Sequence, residues 1–166
     1  MQCARETMRY SDVINRIVVP ALGGTIGILC MVAFDKISTV PLFMVPFATS
    51  IVLVMATPLS LFARPKNIIG GHLLSAVAGF AILWSLGSSP WLAAPAVGLA
   101  IALMQVSGTM HPPAGLNPFI IVTQATGWEF FFVPIATGAV LLVVIAWLFH
   151  KLTQPGVYPI RKANKG

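Results

Sequence analysis

His111-Pro112-Pro113-Ala114-Gly115-Leu116-Asn117-Pro118 opens a stretch that runs on to Thr126 and is apolar enough to lie within a membrane. It is not a plain spanning helix, because Pro112, Pro113 and Pro118 each remove a backbone donor and clash with the carbonyl four residues back. Pro113 also pushes Pro112 out of the helical region. Unwound backbone at membrane depth is tolerated only against protein or a watery cavity, so this segment is expected to face the interior, with a helix restarting near Ala114 or Gly115. Such a helix start presents free N–H groups and a positive dipole end, a setting that binds anions. Gly115 would let a ligand approach the backbone closely, and the Asn117 amide would donate a further hydrogen bond. A second reading makes Pro112-Pro113 a loop between two spans, with Asn117 capping a helix. It leaves unexplained why the residues just beyond are as apolar as any span.

Working outward, the whole chain shares this apolar character. Of 166 residues, 57% are hydrophobic and 8% charged, against roughly a quarter charged in a soluble domain. Four acidic and ten basic residues cannot cover a soluble fold of this length without leaving large apolar patches, so the surface must face lipid. The formal charge of +6 does not point to nucleic acid, because the basic residues fall in short clusters between uncharged runs rather than in a stripe. Four stretches meet or approach the roughly 20 residues a span requires: Ile17 to Phe34, Pro41 to Phe62, Ile68 to Gly87 and Trp91 to Met110. Trp128 to His150 makes a fifth. The expected fold is an all-α integral membrane protein of about five full transmembrane helices plus a broken segment. The organisation is a cytoplasmic tail at 1–16, a single transmembrane domain at 17–150 and a basic cytoplasmic tail at 151–166.

The basic clusters set the topology. Arg5, Arg9 and Arg16 precede the first span, Arg64 and Lys66 follow the second, and Lys151, Arg161, Lys162 and Lys165 follow the last; only Lys36, beside Asp35, stands apart. All three clusters lie in the cytoplasm only if the broken segment at 111–127 itself crosses, which places Glu129 outside. Trp84, Trp91, Trp128 and Trp147 fall near span ends, as interfacial anchors do. The first apolar run is longer than a signal-peptide core and lacks a convincing cleavage site, so it is expected to be retained. Cys3 and Cys30 differ too much in depth to form a disulfide.

Two halves of three crossings each would be inverted in the membrane. Pro46-Phe47-Ala48-Thr49-Ser50, before a run ending Ala56-Thr57, is similar to Pro112-Pro113-Ala114-Gly115, before a run ending Ala125-Thr126. Matching interrupted segments in two halves point to a transporter's substrate site. Chance similarity between apolar stretches is the alternative.

Two blocks covering about a quarter of the chain resemble the HPP family of membrane proteins. The first runs Pro46-Phe47-Ala48-Thr49-Ser50, Arg64-Pro65-Lys66-Asn67 and Ile69-Gly70-Gly71-His72-Leu73-Leu74-Ser75, and the second is the His111 to Pro118 block. The resemblance implies a compact multi-span protein with fewer spans than six, and, from some members, carriage of nitrite. Ala48-Thr49-Ser50 departs from the Gly-Ala-Ser that the family often has.

His72 and His111 are the titratable side chains expected at membrane depth, where ionisable residues are functional hypotheses by default. As neutral donors they would hydrogen-bond a small anion; as imidazolium they would add charge and couple uptake to protons. The plainer role for His72 is a helix-start residue bonded to a carbonyl. His150, beside Lys151, reads as a structural residue at a helix C-terminus. Gly70 and Gly71 open a span behind Arg64, Lys66 and Asn67, either as a basic vestibule that concentrates anions or as an ordinary basic loop with a glycine pair for close packing. Thr49 and Ser50 either line the site opposite Gly115 or bond back to their own helix. Gly23, Gly24 and Gly27, with Gly138 and Ala139, allow close helix contact within the monomer or across a homodimer.

The expected function is a transporter or channel for a small inorganic anion, nitrite first, with lipid and the anion as partners and no cofactor. A His72/His111 haem or metal protein is the second class; neither imidazole has a nearby carboxylate to orient it. Enzyme activity is not expected, because Glu6, Asp12, Asp35 and Glu129 lie in tails or loops and no nucleophile stands beside a base. A sensor subunit that binds without transporting is a further reading. A bacterial inner membrane is the expected location.

Overall fold

Two short helices, each ended or begun by proline, separate this fold from a plain bundle of spans. A computed structural model describes residues 10–38 and 44–159. Cys3, Arg5, Arg9, Pro41, Arg161, Lys162 and Lys165 lie outside the described residues, and with them the disulfide expectation and part of the basic-cluster count. Helix α1 is continuous over 10–38, with a π-helical turn at Ile14–Val18 and its main body at Val19–Ser38. It is followed by α2 (Val45–Ala56), α3 (Pro65–Leu86), α4 (Pro90–Ser107), a 3-10 turn (Pro112–Gly115) leading into α5 (Leu116–Gln124), and α6 (Thr137–Thr153), which is entered through a π-helical segment at Phe131–Ala136. All regular structure among the described residues is helical, as expected for an all-α membrane protein.

Four helices are long and apolar enough to cross a bilayer: Ile14–Ile37, Pro65–Leu86, Pro90–Ser107 and Phe131–Thr153. The stretch expected as a full second span differs. Among its described residues the α-helix is confined to the 12 residues of α2, about 18 Å of helix. Pro46 stands in its first turn, and at the other end Pro58 disfavours helical dihedrals at Thr57, which turns to φ −135° and ψ 60°. The chain then passes through a 3-10 turn at Leu61–Ala63 before Pro65 begins α3. At the end of α4, Gly108 takes the left-handed conformation (φ 64°), and the Thr109 amide donates back to Met104 O at 3.0 Å, a glycine-dependent helix stop.

Packing fixes the directions. The end of α3 (Phe80, Trp84) lies with Phe131 and Phe132, ahead of α6, and Ile68 near its start packs with Leu142 and Ala146, so α3 and α6 run oppositely. Phe47 of α2 lies against Gly138, while His150 Nε2–H donates to Val54 O at 3.2 Å, so α2 runs with α6. Asn117 of α5 meets His72, and Ser88 Oγ–H donates to Val122 O at 2.8 Å, so α5 runs with α3. The two short helices therefore point in opposite directions and meet near their N-termini. Each half of the chain repeats the order long, short, long, which is the arrangement expected of two inverted halves. Arg16, Arg64, Lys66 and Lys151 lie at one end of the bundle; Trp84, Trp91 and Trp128, all largely exposed, ring the other.

Glycines set the helix spacing. A Cβ on Gly23 would lie 2.7 Å from the Phe149 ring and one on Gly27 3.0 Å from Ile51, so both serve packing within the chain, while Gly24 faces open space. Gly79 brings α3 against α5, where an added Cβ would lie 2.9 Å from Pro118 Cα.

Candidate functional site

Ser50, His72, His111 and Asn117 are each 0% exposed, and they come together where α2 and α5 meet. Ser50 lies in the second turn of α2, His72 two turns into α3, His111 in extended backbone before the 3-10 turn, and Asn117 second in α5. Ser50 Oγ is 2.8 Å from His111 Nε2 and 3.1 Å from His72 Nε2. The two imidazole centroids are 5.3 Å apart. His111 Nδ1 is 2.8 Å from Phe62 O, and Asn117 Nδ2 is 3.0 Å from His72 Nδ1.

These contacts assign the protons. A carbonyl only accepts, so His111 Nδ1–H donates to Phe62 O; the neutral ring then carries a bare Nε2. An amide nitrogen only donates, so Asn117 Nδ2–H is received by a bare His72 Nδ1, and the His72 proton sits on Nε2. Ser50 Oγ is left to accept from His72 Nε2–H, and its own proton serves the bare His111 Nε2 in preference to Pro46 O, 2.7 Å away. The result is one directed chain from Asn117 through His72, Ser50 and His111 to the Phe62 carbonyl. The Asn117 amide also donates to Ser75 Oγ at 2.9 Å, and lies 3.3 Å from His72 O. Its Oδ1 is buried with no partner among the described residues.

Arg64, Lys66 and Asn67 border a cavity of about 250 Å³ with Phe62, Gly108 and Met110, at the basic end. Its Phe62 wall carries the carbonyl that His111 meets. Lys66 Nζ donates to Gly108 O (3.2 Å) and Asn67 Nδ2 to Met110 O (2.9 Å), which tie the loop before His111 to the start of α3. Arg64 Nε and Asn67 Oδ1 are buried without a partner among the described residues. Gly70 and Gly71 serve close packing: added Cβ atoms would lie 2.8 Å from Thr109 Cγ2 and 2.6 Å from His111 Cβ. The packing role read from the sequence is thus present at Gly70 and Gly71, and Arg64, Lys66 and Asn67 line the adjacent cavity.

Other expected site residues stand elsewhere. Thr49 is exposed and bonds back to Val45 O (3.2 Å) and Pro46 O (3.0 Å), because one residue along a helix turns the side chain about 100°. Pro112 is exposed, Pro113 and Gly115 are half-buried, and Ala114 is buried under α4. A Cβ on Gly115 would meet nothing within 4 Å. The expected cradle of free amides is also altered, since Pro112 and Pro113 have no N–H and the Ala114 amide donates to His111 O at 3.0 Å. The donors that face the interior here are side chains. Sequence reasoning missed three contributors: Ser75, one turn from His72 on the same face; Phe47, whose ring centroid is 4.7 Å from that of His72; and the Phe62 carbonyl, which has no residue-type signal.

A haem ligand needs a free imidazole nitrogen facing a cavity, whereas both Nε2 atoms converge on Ser50 Oγ. Among the described residues no group of three or more His, Cys, Asp or Glu is placed to hold a metal ion. His150 is buried and braces α2 through Val54, and its ring centroid is 5.5 Å from that of Tyr158; burial there raises the Tyr158 phenol above its ordinary range.

Comparison with known proteins adds two findings. Two transmembrane proteins of Dictyostelium discoideum are 35% and 32% identical to this chain over 122 residues, 69% of it. The chain spans 43% and 39% of their lengths. No solved structure matches. The HPP transmembrane region matches residues 10–159, and the chain belongs to that family of integral membrane proteins.

Proposed function

We propose that the protein is a carrier for a small inorganic anion, with nitrite the first candidate substrate. The observation that carries this reading is a sealed polar cluster, Ser50, His72, His111 and Asn117, directly behind a cavity bordered by Arg64 and Lys66. Cations at the mouth raise the local anion concentration. Imidazole N–H, hydroxyl and amide groups at the meeting point of two helix N-termini suit an anion stripped of water, in a region whose described residues include no Asp or Glu. The cluster is closed to solvent, which favours alternating access over an open pore. The basic end is assigned to the cytoplasm by the positive-inside rule, in a bacterial inner membrane.

The test is nitrite uptake into proteoliposomes by wild type, His111→Ala and Asn117→Ala, each shown to be folded and reconstituted. Wild type is expected to exceed protein-free liposomes, and both variants to fall at least about tenfold, the loss of one charge-assisted bond. Absence of wild-type flux for nitrite, nitrate and formate alike would sink the carrier reading and favour a subunit that only binds.

A further inference from the structure

Ser50 Oγ has more acceptors within reach than it has protons. It lies 2.8 Å from His111 Nε2 and also 2.7 Å from Pro46 O. With His111 neutral, the hydroxyl proton is committed to His111 Nε2. With His111 protonated, Nε2–H donates to Ser50 Oγ and the hydroxyl turns to Pro46 O. Nδ1–H keeps Phe62 O throughout. Both protonation states of His111 thus find every hydrogen an acceptor without any heavy atom moving. A buried imidazole with a single structural role needs partners for only one state.

The geometry points to a proton relay, His72 to Ser50 to His111, that couples anion uptake to proton entry; the coupling rests on the carrier reading above. In the resting chain every donor points from Asn117 toward the cavity at the basic end. A proton reaching His72 Nδ1 displaces the Asn117 amide, whose unpartnered Oδ1 accepts the new N–H once the amide turns over. The His72 Nε2–H bond breaks as a bond forms to Ser50 Oγ, and the Ser50 O–H bond breaks as one forms to His111 Nε2. The positive charge moves from one ring to the other. His111, behind the Phe62 wall of the cavity, then holds the positive charge, and it releases Nδ1–H to water when the site opens and that nitrogen parts from Phe62 O. One proton enters and one leaves, and the tautomers reset by exchange with solvent when the site opens.

The direction follows from the atoms at the two ends. Phe62 O cannot donate and Asn117 Nδ2 cannot accept, so the resting relay takes protons at His72 and delivers them toward Arg64 and Lys66. The surroundings leave the pair as its own main titrating partner. Among described residues α2, α4 and α5 carry no ionisable side chain, α3 adds only Lys66 beyond His72, Arg64 precedes it at the cavity, and α6 contributes only His150 and Lys151 at the level of Val54. Each imidazole is therefore the ionisable group nearest the other, with ring centroids 5.3 Å apart.

The test measures two fluxes in the same proteoliposomes: nitrite uptake, and lumenal pH from a trapped fluorescent indicator, each corrected for protein-free liposomes. For wild type, nitrite entry is expected to acidify the lumen in proportion, and an imposed pH gradient to drive uptake against a nitrite gradient. Ser50→Ala is expected to lower the ratio of protons moved to nitrite moved at least about tenfold, read on whatever nitrite flux the variant retains. Wild-type nitrite flux without protein-dependent proton movement would overturn the relay and leave the carrier reading standing. Proton conduction with no anion flux would overturn the carrier reading and the coupling together. Undiminished coupling in Ser50→Ala would remove Ser50 from the path and overturn the relay. Should that variant fail to reconstitute, the wild-type ratio of protons to nitrite decides alone.

Discussion

Thr49 and Ser50 are neighbours with the same hydroxyl chemistry, and the fold gives them opposite fates. Thr49 returns its proton to its own helix at the surface, while Ser50 stands between two imidazoles. Ser50→Ala leaves His72 Nε2–H without its acceptor and His111 Nε2 without its donor in a dry interior, a loss of about 1–3 kcal/mol for each unsatisfied group. Thr49→Ala removes only a local back-bond and is expected to change stability by less than about 0.5 kcal/mol. Thermal unfolding of the two variants in detergent compares them directly; equal midpoints would contradict this assignment. His111, Asn117 and His72 were legible from the sequence because a polar side chain within an apolar run must be buried with a partner. Which of two adjacent hydroxyls turns inward was not, because that depends on how α2 is rotated against α3, a property of packing rather than of residue type.

At the scale of elements, the broken segment was readable because two consecutive prolines cannot continue a helix. The shortness of α2 was harder to see. Hydropathy counts apolar residues whether or not they are helical, so the run to Phe62 resembles a span until Pro58 is weighed as a terminator. The glycine pair at the start of α3 had two readings in the sequence, and the structure gives Gly71 a definite contact, His111 Cβ. Gly71→Ala is therefore expected to push the His111 backbone away from Ser50. Overpacking of this kind costs about 1–3 kcal/mol, and nitrite uptake should fall with it. Gly24→Ala, facing open space on α1, is expected to leave both unchanged and to raise helix propensity slightly. If the two alanine variants transport equally well, the contact between Gly71 and His111 does not position the site.

For the whole molecule, Arg16, Arg64, Lys66 and Lys151 lie at the end opposite Trp84, Trp91 and Trp128, which makes sidedness testable without any substrate. In a background with Cys3 and Cys30 replaced by serine, single cysteines at Leu59 and Thr153 are expected to share one side, and a cysteine at Ser88 to lie on the other. Labelling of intact and permeabilised cells with a membrane-impermeant maleimide reads this; Ser88→Cys and Leu59→Cys reacting from the same side would contradict the six-crossing path. The expected path was read from charge alone, because the basic clusters agree only if the broken segment at 111–127 crosses. How far the short helices overlap was not, since no charge marks a helix start in the middle of a bilayer.

The Ser50 hydroxyl carries the contact to His72 and the contact to His111 on one oxygen atom. Any tilt of α2 that withdraws that atom parts both imidazoles in the same instant. Opening the closed cluster along the α2 seam and breaking proton continuity are then a single mechanical event, an interlock. The carrier proposed above would then need no separate latch to keep the membrane proton-tight while an anion passes.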